Sequence, residues 1–147
     1  MKLIPLALIC ATLVLTGCAA SGPKLAEMSS SIPTLKSDQG RVYFYRKDTI
    51  FGAALQPNVV MDGAVVGESR RGSFFYVDAA SGSHEAATTT EATNKVSFVL
   101  APGETKYVRT DPTMGVLVWR ITPTLVATAE AKAEIAGLSY TGTPKAK

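Results

Sequence analysis

Asn58-Val59-Val60-Met61-Asp62-Gly63-Ala64-Val65-Val66 reads as a β-hairpin. Two β-branched, apolar runs flank Asp-Gly, a dipeptide suited to the positive φ angles of a tight two-residue turn. The same period-two pattern appears upstream in Arg41-Val42-Tyr43-Phe44-Tyr45-Arg46, which puts Val42 and Phe44 on one face and Tyr43 and Tyr45 on the other. Downstream, strands are expected at residues 74–77, 84–90, 96–100, 106–110 and 116–121, with Gly82, Asn94, Pro102-Gly103 and Asp111-Pro112 as punctuation. Val96, Phe98 and Leu100 alternate with Ser97, as in a sheet with one wet face. Short strands separated by turn residues indicate a mostly β fold, a small antiparallel β sandwich of about seven to eight strands. One helix is expected after the strands. Thr128 would be its N-cap, Glu130 complements its positive amino end, Ala131, Ile135 and Leu138 share a stripe, and Gly137 would close it.

The chain begins differently. Lys2 is followed by an apolar run from Leu3 to Leu15, interrupted by Pro5 and Thr12, and then by small residues up to Cys18. That is the order of a secretory signal. The run is well short of the ~20 residues a helix needs to cross a bilayer core. Leu15-Thr16-Gly17-Cys18 resembles the bacterial lipobox, which implies cleavage between Gly17 and Cys18 and acylation of the Cys18 sulfur. Cys10 would leave with the signal and Cys18 would carry lipid, so the mature chain keeps no free thiol and forms no intrachain disulfide. The formal net charge is +3, and Lys2 is the one charged side chain ahead of Cys18. The mature side chains are thus only weakly basic, too weakly to imply nucleic acid.

The expected organisation is a signal peptide at residues 1–17, the lipidated cysteine and tether at 18–39, the β sandwich at 40–138, and a flexible tail at 139–147. The tether is rich in Ser, Pro and Ala, and as a free coil would reach roughly 25 Å. Within it Leu25, Met28, Ile32 and Leu35 have the three- and four-residue spacing of an amphipathic turn that could dock on the domain.

Chemistry is sparse. His84 is the sole histidine, and Ser81, Ser83 and Glu85 lie too close to it in sequence to build a hydrolytic triad by themselves. One histidine without cysteines is a poor start for a zinc site, so a structural role for His84 is expected, and no metal or cofactor. Gly63, Gly67 and Gly72 fit hairpin turns rather than a phosphate-binding loop. Tyr43, Tyr45, Phe75, Tyr76 and Trp119 are expected to fill or flank a core. Exposed, Tyr43, Tyr45 and Tyr76 would instead form an aromatic face able to bind glycan or peptide. Arg46-Lys47 and Arg70-Arg71 are pairs of the kind that usually face solvent, and neither reaches the size of a lipid-recognition cluster.

Residues 40–138 resemble an uncharacterised family of small bacterial lipoproteins whose domain is similar to PEGA and transthyretin-like β sandwiches. The residues that carry the resemblance are Gly40-Arg41-Val42-Tyr43-Phe44-Tyr45-Arg46, Met61-Asp62-Gly63 with Val66-Gly67, Gly82-Ser83-His84-Glu85, and Ala101-Pro102-Gly103-Glu104 with Tyr107-Val108. Ser81 stands where such domains carry the proline of a Pro-Gly-x-His segment. The resemblance implies a fold and no reaction. The expected protein is a non-enzymatic envelope lipoprotein, a structural or interaction module. It would be anchored through acylated Cys18, and its resemblance to Gram-negative lipoproteins, with Ala19 rather than aspartate after the cysteine, implies the outer membrane facing the periplasm. Its expected partners are membrane lipid and an envelope protein or glycan. The alternatives are a periplasmic glycan- or peptide-binding module using the tyrosines, and third a hydrolase using His84.

Overall fold

At the Asp62-Gly63 turn the backbone takes the left-handed path the hairpin requires, with φ of 51° and 84°. It joins β2 (Asn58–Met61) to β3 (Ala64–Glu68) in a computed structural model that describes residues 20–142. The remaining strands are β1 (Gln39–Arg46), β4 (Ser73–Ala80), β5 (Gly82–Thr89), β6 (Thr93–Leu100), β7 (Thr105–Met114), β8 (Trp119–Leu125) and β9 (Ser139–Tyr140). Nine strands among the described residues form two sheets, in the orders β8-β7-β1-β4-β9 and β3-β2-β5-β6. Antiparallel pairing dominates, as expected of such a sandwich. Two pairs differ: β1 runs parallel to β7 and β4 parallel to β9. The reason is topological, since β2, β3, β5 and β6 build the second sheet before the chain returns beside β1.

Alternation along β1 fills two cores. Val42 and Phe44 face the second sheet and pack with Val59, Met61, Phe75 and Val108. Tyr43 and Tyr45 point the other way, into a cluster with Phe74, Tyr107, Ala131, Ile135 and Leu138. That outer cluster is covered by helix α2 (Thr128–Ile135), which leaves β1 buried on both faces. Arg109 fastens the helix to the sheet through Glu130 and Glu134, both at 2.8 Å, while the Tyr45 hydroxyl donates to Glu134 at 2.6 Å. Thr128 is the first helical residue of α2, not its cap. The cap position is Ala127, without a side-chain hydrogen bond, and Gly137 lies beyond the C-cap Ala136 without left-handed geometry.

Three other expectations change. A turn at Asp111-Pro112 is absent, because β7 continues through both residues to Met114. Pro112 is tolerated there because β1 pairs with β7 only as far as Arg109, leaving that side of Pro112 without a strand partner. Residues 116–118, expected as strand, form the exposed tip between β7 and β8. Residues 139–140 are not tail but β9, paired with Ser73 and Phe74. The segment before β1 lies on the domain. Its short helix α1 (Leu25–Met28) packs Leu25 and Met28 against the outer cluster, and the Tyr140 N–H donates to the Pro23 carbonyl at 2.9 Å. Lys24 donates to the Gly137 carbonyl at 2.9 Å, and Arg41 to that of Pro33 at 2.8 Å.

The sheets approach closely at Gly67, where an added Cβ would fall 2.2 Å from Phe75 Cζ. The Phe75 ring cannot retreat, being buried and stacked on Phe44 with centroids 5.2 Å apart. Gly67→Ala should therefore destabilise the domain by about 1–3 kcal/mol, read as a lower urea midpoint at unchanged slope.

Candidate functional site

Tyr43 and Tyr45 are core residues, at 7 % and 2 % exposure, and do not form an open aromatic face. Tyr43 stacks on Tyr107 with centroids 5.4 Å apart, and half-buried Tyr76 is covered by the Arg41 guanidinium 4.6 Å from its ring centre. The reason is the helix and the docked segment that cover this side of the first sheet. Burial, and then Glu134, push the Tyr45 hydroxyl well above the usual phenol range, so it stays a donor.

His84 has a carboxylate neighbour that its sequence surroundings did not reveal. Its Nδ1 lies 2.6 Å from Asp62 Oδ2, and its Nε2 lies 2.7 Å from the Ala80 carbonyl oxygen. A carbonyl only accepts, so Nε2 carries a proton. The imidazolium, donating from both nitrogens, satisfies both contacts. Burial is the largest single influence on His84 and opposes its charge, but the bonds to Asp62 and Ala80 outweigh it and raise its pKa above 6.5. Asp62 behaves conversely. Burial works against ionisation, while the Glu85 N–H at 2.9 Å and His84 together bring its pKa below the usual value. The pair ties the β2–β3 turn to β5. With both ring nitrogens engaged and no serine hydroxyl bonded to either, the site lacks a free base and a nucleophile. Among the described residues no His, Cys, Asp or Glu side chains gather as a metal site.

The most distinctive surface lies at the end of the sandwich where β1 and β7 finish and β2 and β8 begin. Residues 50–55 and 117–119, with Thr90 and Glu91, line an open and mainly apolar cleft of about 930 Å³. Val116 and Leu117 are each 86 % exposed and Ile50 is 77 % exposed. Phe51 packs on Trp119 at the base, with centroids 5.3 Å apart. Contiguous apolar exposure of this kind marks an interaction site. Sequence reasoning missed it because residues 116–121 have the apolar pattern of a buried strand, and a period alone cannot separate a core from a bare loop tip.

Arg46 holds this end together. Expected at the surface, it is instead fully buried. Its guanidinium donates to the carbonyls of Leu55 at 2.5 Å, Gly52 at 2.6 Å and Ser69 at 3.2 Å. Burial, and secondarily Arg71, lower its pKa, yet an arginine stays protonated. No carboxylate is hydrogen-bonded to it, so carbonyl dipoles compensate the charge. Gly52 belongs to the arrangement, because its φ of 60° is left-handed and a Cβ there would come within 3.3 Å of the guanidinium. Arg70 and Arg71 are paired with Glu68 and Asp48.

Gly17 and Cys18, the expected cleavage and lipidation positions, lie outside the described residues, as do residues 143–147. What is described is a two-sheet β domain with two cores, a helix on one face, no assembled catalytic group and one apolar end. The chain belongs to the DUF2846 family, described as proteins of unknown function, whose profile matches residues 36–120. It is also similar to an uncharacterized protein of Haemophilus influenzae, 28 % identical over 131 residues that cover 86 % of this chain and 77 % of that one. No solved structure matches it. Neither description mentions a reaction.

Two outcomes follow from these contacts. The charged His84–Asp62 pair contributes stability that is present below the unfolded histidine pKa of about 6.5 and is lost as pH rises through the higher folded value. The Asp62 part is present above about 3.8 and is lost as pH falls through its depressed folded value. His84→Gln should therefore lower the melting temperature more near pH 5.5 than near pH 8.5, and an equal loss at both would show that the pair's charge adds nothing. Arg46→Met leaves buried carbonyls without donors and should cost about 2–5 kcal/mol. Denaturant titration measures that cost. If the 50–55 loop loosens from Trp119, tryptophan emission moves to longer wavelength.

Proposed function

We propose that this chain is a cell-envelope lipoprotein, acylated on Cys18 and cleaved after Gly17, that serves as a non-enzymatic interaction or structural module. The observation that carries the reading is Leu15-Thr16-Gly17-Cys18 placed directly after a short apolar run with a basic start. More than one acyl chain on such a cysteine gives a stable anchor, where a single chain binds only marginally. Ala19 in the next position suits delivery to the outer membrane, facing the periplasm. Kinship with PEGA-like lipoprotein domains is part of this reading and rests on the segments from Gly40 to Val108 quoted above.

Support for an interaction role comes from the apolar end, where an open, mainly apolar cleft lies beside exposed Ile50, Val116 and Leu117. An enzymatic role has no comparable support, since both His84 nitrogens are engaged. The test is Cys18→Ala in cells fed a labelled fatty acid. The variant should lose the acyl label and leave the membrane fraction, and one that keeps both sinks the proposal.

A further inference from the structure

We propose that the apolar end of the sandwich, residues 50–55 with 114–119, seats directly in the lipid bilayer that carries the Cys18 anchor. This deepens the lipoprotein reading and rests on it. Its first support is where the chain emerges. Ala20, Ser21 and Gly22 line a cleft with Glu68, Arg70, Tyr140, Thr141 and Gly142. Glu68 and Arg70 bound the connection from β3 to β4, which lies at the same end of the sandwich as residues 50–55 and 115–118. From Cys18 to Ala20 the chain spans at most about 7 Å, whereas the headgroup layer is itself roughly 5–8 Å thick. The chain is fastened to the domain at Pro23, Lys24, Leu25 and Met28, so the leash between anchor and fold is short, at most about 17 Å from Cys18 to Pro23. A lipid on Cys18 therefore holds the β9 edge and the neighbouring β3–β4 connection close to the membrane surface.

The second support is the form of the apolar residues. The most exposed ones, Ile50, Val116 and Leu117, stand on loop tips, two of them, Ile50 and Leu117, at the open apolar cleft. Behind them Phe51 and half-buried Trp119 take the interfacial position that aromatic rings favour. The first sheet spreads the β9 edge, where the chain emerges, and the tip between β7 and β8 across three to four strand spacings, about 14–19 Å, so together they give the domain a broad footing. Charge is not the driving term. Arg70, Arg71 and Arg120 are each answered by a carboxylate, at 2.9, 2.8 and 3.1 Å. Insertion should therefore proceed on zwitterionic phosphatidylcholine, which carries no net charge, and be insensitive to salt.

Trp119 is the sole tryptophan and reports on this end directly. The full chain, made in a cell that acylates it, would be reconstituted into phosphatidylcholine vesicles whose acyl chains carry bromine. Trp119 emission should be quenched and shifted to shorter wavelength. The double variant Val116→Asp with Leu117→Asp should lose both effects while keeping its acyl label and its unfolding midpoint, since both side chains are exposed. Acyl-labelled chain whose Trp119 is unquenched overturns the insertion and leaves the anchor standing. Chain that is quenched without a label overturns the anchor at Cys18, and absence of both signals overturns both. Trp119 shielded in native membranes but unquenched in protein-free vesicles overturns the insertion in favour of a protein partner.

Discussion

Burial of both faces of β1 constrains everything around it. A strand with Val42 and Phe44 on one side and Tyr43 and Tyr45 on the other needs cover on each. The second sheet supplies one cover, and α2 with the docked amino-terminal segment supplies the other. Hydrogen bonding imposes a matching demand, met by β4 along one edge of β1 and β7 along the other. The close contact at Gly67, the Arg109 attachment of α2 and the packing of Leu25 and Met28 are local consequences of closing those two layers.

At its last residue β1 passes from apolar packing to a buried cation. Arg46 is compensated by carbonyls from the connection that follows β1 and from the one that follows β3. Such an arrangement fixes loops that would otherwise be free to collapse onto their own apolar side chains. Ile50 thus remains exposed on a supported backbone. The His84–Asp62 pair does a similar service for the β2–β3 turn at the opposite end, with a charged pair in place of a lone cation.

The elements written as local pattern were legible in the sequence. The Asp62-Gly63 hairpin, the alternation of β1 and the stripe of α2 all appear where period and turn chemistry place them. Relations between distant segments were not. Parallel pairing of β1 with β7 depends on the order in which two sheets are built, which no window of residues contains. Arg46 looks like any strand-end arginine until carbonyls from residues 52, 55 and 69 are brought around it. Asp62 read as a turn residue and His84 as an isolated ring, and only the pairing of β2 with β5 joins them. The tyrosines of β1 were ambiguous for a related reason, because alternation assigns them a face without saying what covers it.

The parallel pairing of β1 with β7 also bears on when the fold can be completed. Residues 41–45 find their second neighbour in residues 105–109, roughly 60 positions further along the chain, and contacts of that sequence separation slow folding. As the polypeptide leaves the ribosome, its central strand stays half-paired until β7, the seventh of the nine described strands, has been synthesised. A chain that is late to acquire its middle leaves one edge of β1 open to wrong partners for longer.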